Sequence, residues 1–402
     1  MKIHSATRAT EAQRHRARKN LCASVSLWLV IMISGVASSA LAEPMFLAKQ
    51  YTRCTACHYS PSGGGLLTPY GRLLSLRELS TTGGNGAAPA AGGEDNPHGE
   101  QAFLYGALGD ALGPVHLGLD LRPSHLRIGF PGGHQGQNLL MNFDLQGAVQ
   151  KNGWTAYASA GREPAAHGQD VRFISYEHWI AYQRDDGFGL RAGRFLPPYG
   201  IRFADHTVFS RSYLDFDHDD QVYGVEVSDT MGPSLLQVTL GAGKAEAFRE
   251  EDGQHALSLT GRWQLDLTPR MALVGSAAYR HSTDLDPTAG LVGAAFGFAP
   301  TSRLSIWTEV DANLQTHARG GHSWVAVNET AFEAYRGIWL KFSPQLKTSG
   351  GVPGFSELRR LMFEADLLPR THWNIGVSYY HDHNHTFEID TSTLLTQLHL
   401  YL

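Results

Sequence analysis

From about Ala102 to the C-terminus the chain alternates apolar and polar positions with a period of two, as strands with two chemically different faces do. The clearest run is Leu257 to Leu267. There Leu257, Leu259, Gly261, Trp263, Leu265 and Leu267 alternate with Ser258, Thr260, Arg262, Gln264 and Asp266. That length matches a transmembrane β-strand of about 9–11 residues. The pattern returns in Leu236/Val238/Leu240 against Gln237/Thr239, and in Trp373/Ile375/Val377/Tyr379 against Asn374/Ser378/Tyr380. Turn formers separate such runs at Lys151-Asn152-Gly153, Asp185-Asp186-Gly187, Pro300-Thr301-Ser302 and Pro369-Arg370-Thr371. Thr393 to Leu402 reads as a last strand running to the final residue, which suits closure against the first. The prediction is a mainly β fold, a transmembrane antiparallel β-barrel of about 16 strands over 102–402. A soluble β-sandwich or propeller shares the alternation and is the alternative.

The N-terminal part has a different texture. Residues 1–42 read as an export signal, with a basic start (Lys2, Arg8, Arg14, Arg16, Arg18, Lys19), an apolar stretch around Leu27 to Val36, and Ala40-Leu41-Ala42 before Glu43. A membrane anchor is the alternative, although the apolar run is shorter than the ~20 residues a helical span needs. Residues 43–80 form a compact segment, and 81–101 a glycine-rich linker without periodicity. Glycine makes up 44 of the 402 residues, above the usual ~7%. The whole chain has 33 basic and 38 acidic side chains; loss of residues 1–42 removes six and one of these, leaving a formal charge of −10. An acidic exported chain is a poor partner for nucleic acid, whose phosphates call for a basic surface.

Of the three cysteines, Cys22 leaves with the signal, and Cys54 and Cys57 remain. They stand in Cys54-Thr55-Ala56-Cys57-His58, the attachment pattern of a c-type haem: two thiols add across the vinyl groups and the adjacent His reaches the iron. One covalent haem c is the expected cofactor, with His58 as proximal ligand and the haem iron as its metal. A disulfide and a zinc site are the rival uses of such a pair. Fewer than about forty residues cannot bury a haem unaided, so the barrel is expected to wall it. Candidates for the distal ligand are His98, Met45, His116 and His178, with His98 preferred because a linker residue can fold back; five-coordinate iron or a water ligand are the alternatives. Arg72 is a candidate partner for a haem propionate, as are Arg191, Arg194, Arg202 and Arg211 around Phe195 to Gly200. Two polar clusters suit metal ions by their donor chemistry. One is Asp215, Asp217, His218, Asp219 and Asp220; the other is His381-Asp382-His383-Asn384-His385.

Pro44, Phe46, Ala48, Gln50, the Cys54/Cys57/His58 motif and Leu67-Thr68-Pro69-Tyr70-Gly71-Arg72 together resemble the fused monohaem cytochrome-porins of bacterial outer membranes, which include outer-membrane iron oxidases. The resemblance implies a small N-terminal helical haem plug seated in the barrel. It also implies electron transfer between an extracellular partner such as Fe(II) and a periplasmic carrier such as a soluble cytochrome. The sequence departs from the iron-oxidase pattern in the Ser62-Gly63-Gly64-Gly65 insert and in Leu73-Leu74-Ser75 after Arg72. Electron transfer therefore carries over more safely than iron oxidation. A diffusion porin with the segment as plug or sensor is the competing function. No nucleophile, base or carboxylate pair is needed for electron transfer, because the catalytic equipment is the cofactor.

Overall fold

The computed structural model describes residues 44–51, 53–82, 96–162, 173–205, 207–217, 220–244, 256–282, 289–314, 322–349 and 357–402. The export signal expected over 1–42 and linker residues 83–95 lie outside them. Seventeen strands run from β1 (Val115–Phe130) to β17 (Ile389–Tyr401) in one antiparallel sheet. β4 (Phe173–Ile174) pairs with Gly161 and Arg162 of β3 (Trp154–Arg162), while β5 (His178–Gln183) pairs with Trp154 to Ala158 of that strand. β4 and β5 are thus two halves of one interrupted stave, and the barrel has sixteen staves. β1 also pairs with β17, from Asp120 opposite Tyr401 to Gly129 opposite Ser392. The sheet therefore closes on itself, and its backbone groups pair from strand to strand rather than with water.

The alternation read from the sequence is an inside-out one. On β9 (Ala256–Thr268), Leu257, Leu259 and Trp263 are 60%, 50% and 42% exposed, whereas Thr260 and Gln264 between them are 1% and 2% exposed. On β16 (Trp373–Asn384), Ile375, Val377 and Tyr379 face outward and Ser378 and Tyr380 are buried. Exposed Leu, Val, Trp and Phe recur around the outer surface. Such a band suits hydrocarbon and would be a liability in water.

Two segments enter the lumen. Residues 44–82 form short helical turns at Pro44–Lys49 and Cys54–Ala56, helix α1 (Pro69–Leu74), and a wider turn at Ser75–Leu79. Inward side chains hold this segment on several sides. Lys49 Nζ lies 2.5 Å from Glu333 of β13 (Ser323–Tyr335), Arg53 lies 2.9 Å from Asp266 of β9, and Ser75 Oγ lies 2.8 Å from the Tyr401 hydroxyl of β17. The connection between β6 (Phe188–Phe195) and β7 (Val222–Met231) also folds inward and carries helix α2 (Phe209–Ser212). Its Tyr199, Phe203, Phe209 and Phe216 join Met45, Leu47 and Leu79 in one apolar cluster with Trp307 and Trp339. Those two tryptophans, on β12 (Leu304–Asn313) and β14 (Ile338–Ser349), are 1% and 0% exposed and point inward from positions where period two predicts polar residues.

Candidate functional site

The Cys54 motif is a single tight turn. The Cys57 and His58 amides donate to the Cys54 carbonyl at 3.1 and 2.8 Å. Both cysteines and the histidine thus stand on one short turn. The chain beyond returns to brace it. Tyr59 N–H donates to the Leu66 carbonyl at 3.1 Å, and Thr68 N–H to the Cys57 carbonyl at 2.8 Å. Thr68 then caps α1 by accepting from Gly71 N–H at 3.1 Å, with Pro69 in the first helical position. Gly71 is required by close approach, since a Cβ there would sit 2.4 Å from the Cys57 carbonyl oxygen. The run Thr68-Pro69-Tyr70-Gly71 is thus the packing partner of the motif.

His58 Nδ1 lies 3.3 Å from the Gly65 carbonyl. An Nδ1 proton donated there leaves Nε2 as the nitrogen for a metal. Burial, and then the positive charge of Arg202, pull the His58 pKa down to about 4, so the ring is neutral at physiological pH, the form that ligates metals. Burial, and then Cys54, push the Cys57 thiol up to about 12. The two thiols are free rather than bridged.

Beside Cys54 lies a pocket lined among others by Pro198, Arg202, Arg211, Arg262 and Glu309. Arg202 lies flat against the glycine insert, where a Cβ on Gly64 would meet its guanidinium at 2.6 Å. It donates to the carbonyls of Ser62 and Gly63. Gly63, Gly64 and Gly65 all have left-handed φ, +81°, +69° and +63°. Arg262 of β9 donates to the Gly200 carbonyl at 2.9 Å and to Gln264 at 2.8 Å. The buried Nε of Arg211 has no hydrogen-bond partner among the described residues. Burial and Arg202 lower Arg211 to about 10, which still leaves it a cation at neutral pH. Three guanidinium groups and an orphaned N–H beside a motif cysteine fit an anionic group such as a carboxylate.

The other sequence candidates fall in different places. Arg191 bridges Glu226 and Ser62 at 2.7 and 2.8 Å, so it anchors the segment to the wall. Gly193, with φ +138°, breaks the alternation on β6 and lets Arg194 be buried as Arg191 is. Arg72 is buried and donates to the Leu117 carbonyl beside a separate, small pocket lined also by Leu67 and His116. His116 packs 5.5 Å from the Tyr59 ring, next to the motif. His98 instead pairs with Asp110 at 3.2 Å, in the connection that leads to β1. Met45 belongs to the apolar cluster, and His178 bonds Ser175 at 2.9 Å. In the acidic run, Asp215 pairs with Arg280 at 3.0 Å, and His218 and Asp219 lie outside the described residues. Arg262, Trp307 and Trp339 were not anticipated as parts of the site. Arg262 was visible only as one polar position of the cleanest alternating run.

No protein-family model and no curated protein sequence matches the chain. Solved structures do. The chain is similar to OprB of Pseudomonas putida, with TM-score 0.58 and 10% identity over 76% of this chain and 97% of that one. It is similar to the anion-selective porin from Comamonas acidovorans, with TM-score 0.54 and 9% identity over 72% and 99%. The outer membrane channel DcaP of Acinetobacter baumannii gives TM-score 0.50 and 11% identity over 71% and 97%. At such identities the likeness carries the fold alone: a closed antiparallel β-barrel of sixteen staves, built as outer-membrane porins are.

Proposed function

We propose that the chain is an outer-membrane c-type cytochrome fused to a porin-type barrel, passing single electrons between an extracellular donor or acceptor, such as Fe(II), and a periplasmic carrier such as a soluble cytochrome. One observation carries the reading: Cys54, Cys57 and His58 share one turn inside the lumen, beside a space walled by Arg202, Arg211 and Arg262. Cys54 and Cys57 would hold one haem covalently, and His58 would ligate its iron through Nε2 while Gly65 fixes the ring. Arg202, Arg211 and Arg262 would neutralise the propionates, and Arg72, which donates to the Leu117 carbonyl, lines the neighbouring pocket. When bound, haem supplies a one-electron couple whose potential follows its ligands and burial. The apolar cluster with Trp307 and Trp339 keeps water from one side of the segment. Short connections such as 152–153, 232–233 and 336–337 lie at one barrel end, and longer ones such as 196–221 and 314–322 at the other. Porin barrels place the short turns in the periplasm, so the long connections face outward.

The test is intact-mass and absorption analysis of the protein purified from cells that mature c-type cytochromes. The expected result is one haem per chain, attached to the peptide containing Cys54 and Cys57. A mature chain at its bare polypeptide mass, with both thiols alkylatable, would overturn the reading. A second reading, a diffusion channel with the segment as plug, is favoured by the likeness to porins and channels. Large open currents in planar bilayers with the segment in place would support it.

A further inference from the structure

We propose that His383, His385 and Glu388, at the tip of the hairpin joining β16 to β17, form a binding site for a divalent first-row transition metal ion such as Zn(II) or Fe(II). Ligand atoms of the three residues all lie within 4.8 Å of one another. Ligands about 2.1 Å from one Zn(II) stand on the order of 3.4 Å apart, so a small closing of an exposed turn completes the set. Two contacts are already closer than the outer limit: His385 Nδ1 is 3.3 Å from Glu388 Oε1, and His383 Nε2 is 3.9 Å from Glu388 Oε2.

The geometry around the three residues favours metal over a surface ion pair. Asp390 Oδ1 takes the Nδ1 side of His383 at 2.8 Å, which turns the ring so that Nε2 faces Glu388. A carboxylate behind a ligating His, fixing its tautomer and raising its basicity, is the usual second layer of a metal site. The turn is pinned by Asn384, whose Oδ1 accepts from the amides of Thr386 and Phe387 at 3.0 and 3.3 Å. Two imidazoles and one carboxylate suit Fe(II) or Zn(II) rather than Ca(II) or Mg(II), which prefer an all-oxygen shell. The hairpin lies at the end of the barrel that carries the long connections. The site stands independently of the haem, and its test does not pass through it.

Isothermal titration of the full-length protein in detergent, with Zn(II) and, without oxygen, Fe(II), reads the site directly. One saturable equivalent is expected. His383→Ala and His385→Ala should each weaken it by at least about 10-fold. Asp390→Asn, which removes the positioning carboxylate but no ligand, should keep the stoichiometry and lose affinity by a smaller factor. His125→Ala, removing an exposed imidazole bonded to Asn138 on a different hairpin, serves as control and should change nothing. Heat-modifiable migration of every variant establishes that the barrel is folded. No saturable binding to the wild type, or wild-type binding by the His383→Ala/His385→Ala variant, would overturn the proposal.

Discussion

The barrel and the segment it encloses are held together in opposite ways. Each stave is fixed by backbone ladders to both neighbours, which any sequence of the right alternation forms, and its side chains sort themselves between lipid and lumen. Segment 44–82 has almost no ladder; among the described residues its pairing in that sense is one bridge, between His58 and Leu67. It depends on individual contacts: Lys49 with Glu333, Arg53 with Asp266, Arg202 on the glycine insert, and Gly71 against Cys57. Substitution in the barrel should therefore act according to which face a residue occupies. In the segment it should act according to which single contact is lost, and the barrel should survive.

The sharpest separation of the two regions comes from Cys54→Ser/Cys57→Ser. All covalent haem should disappear from the absorption spectrum while heat-modifiable migration of the barrel is kept. Loss of the folded barrel along with the haem would show that the two regions do not fold independently. Next in size is Leu259→Arg on the lipid-facing side of β9, which should cost the barrel about 2–4 kcal/mol in denaturant unfolding from lipid vesicles. Gly71→Val should weaken docking of the segment by about 1–3 kcal/mol, because its side chain meets the Cys57 backbone. Faster proteolysis at the segment and reduced haem loading, with an unchanged barrel midpoint, are the readouts.

The smallest effect is a pH dependence confined to the segment. The docked His58 has its pKa lowered to about 4 from an ordinary 6.5, so the undocked ring binds protons more readily. Docking is then at full strength above pH 6.5 and weakens as pH falls towards 4. Hydrogen exchange of residues 44–82 in the Cys54→Ser/Cys57→Ser protein, corrected for intrinsic rates, should reveal this loss. His58→Phe should flatten the profile.

The staves were legible in the sequence because lipid and lumen impose the period of two directly, as Leu257 to Leu267 illustrates. The closing strand at Thr393 to Leu402 was legible for the same reason, and it pairs with β1. Trp307 and Trp339 were not legible as lumen residues. They point inward because the segment and the inward connection supply an apolar surface there, which a strand read by itself does not reveal. The motif cysteines and His58 announced themselves by spacing, whereas Arg262 entered the site through barrel closure, which brings β9 beside Cys54. The glycine insert looked like a departure from the family it resembles; it is the bed on which Arg202 lies.

The central claim, that the segment turns a porin-type barrel into an electron conduit, is tested most directly in proteoliposomes. The purified protein is inserted into vesicles that trap a membrane-impermeant redox dye, and an impermeant reductant is added outside. Reduction of the trapped dye by the wild type, abolished in Cys54→Ser/Cys57→Ser while both proteins retain folded barrels, is the predicted result. Equal dye reduction by the haem-free variant, or none by a haem-loaded wild type, would contradict it.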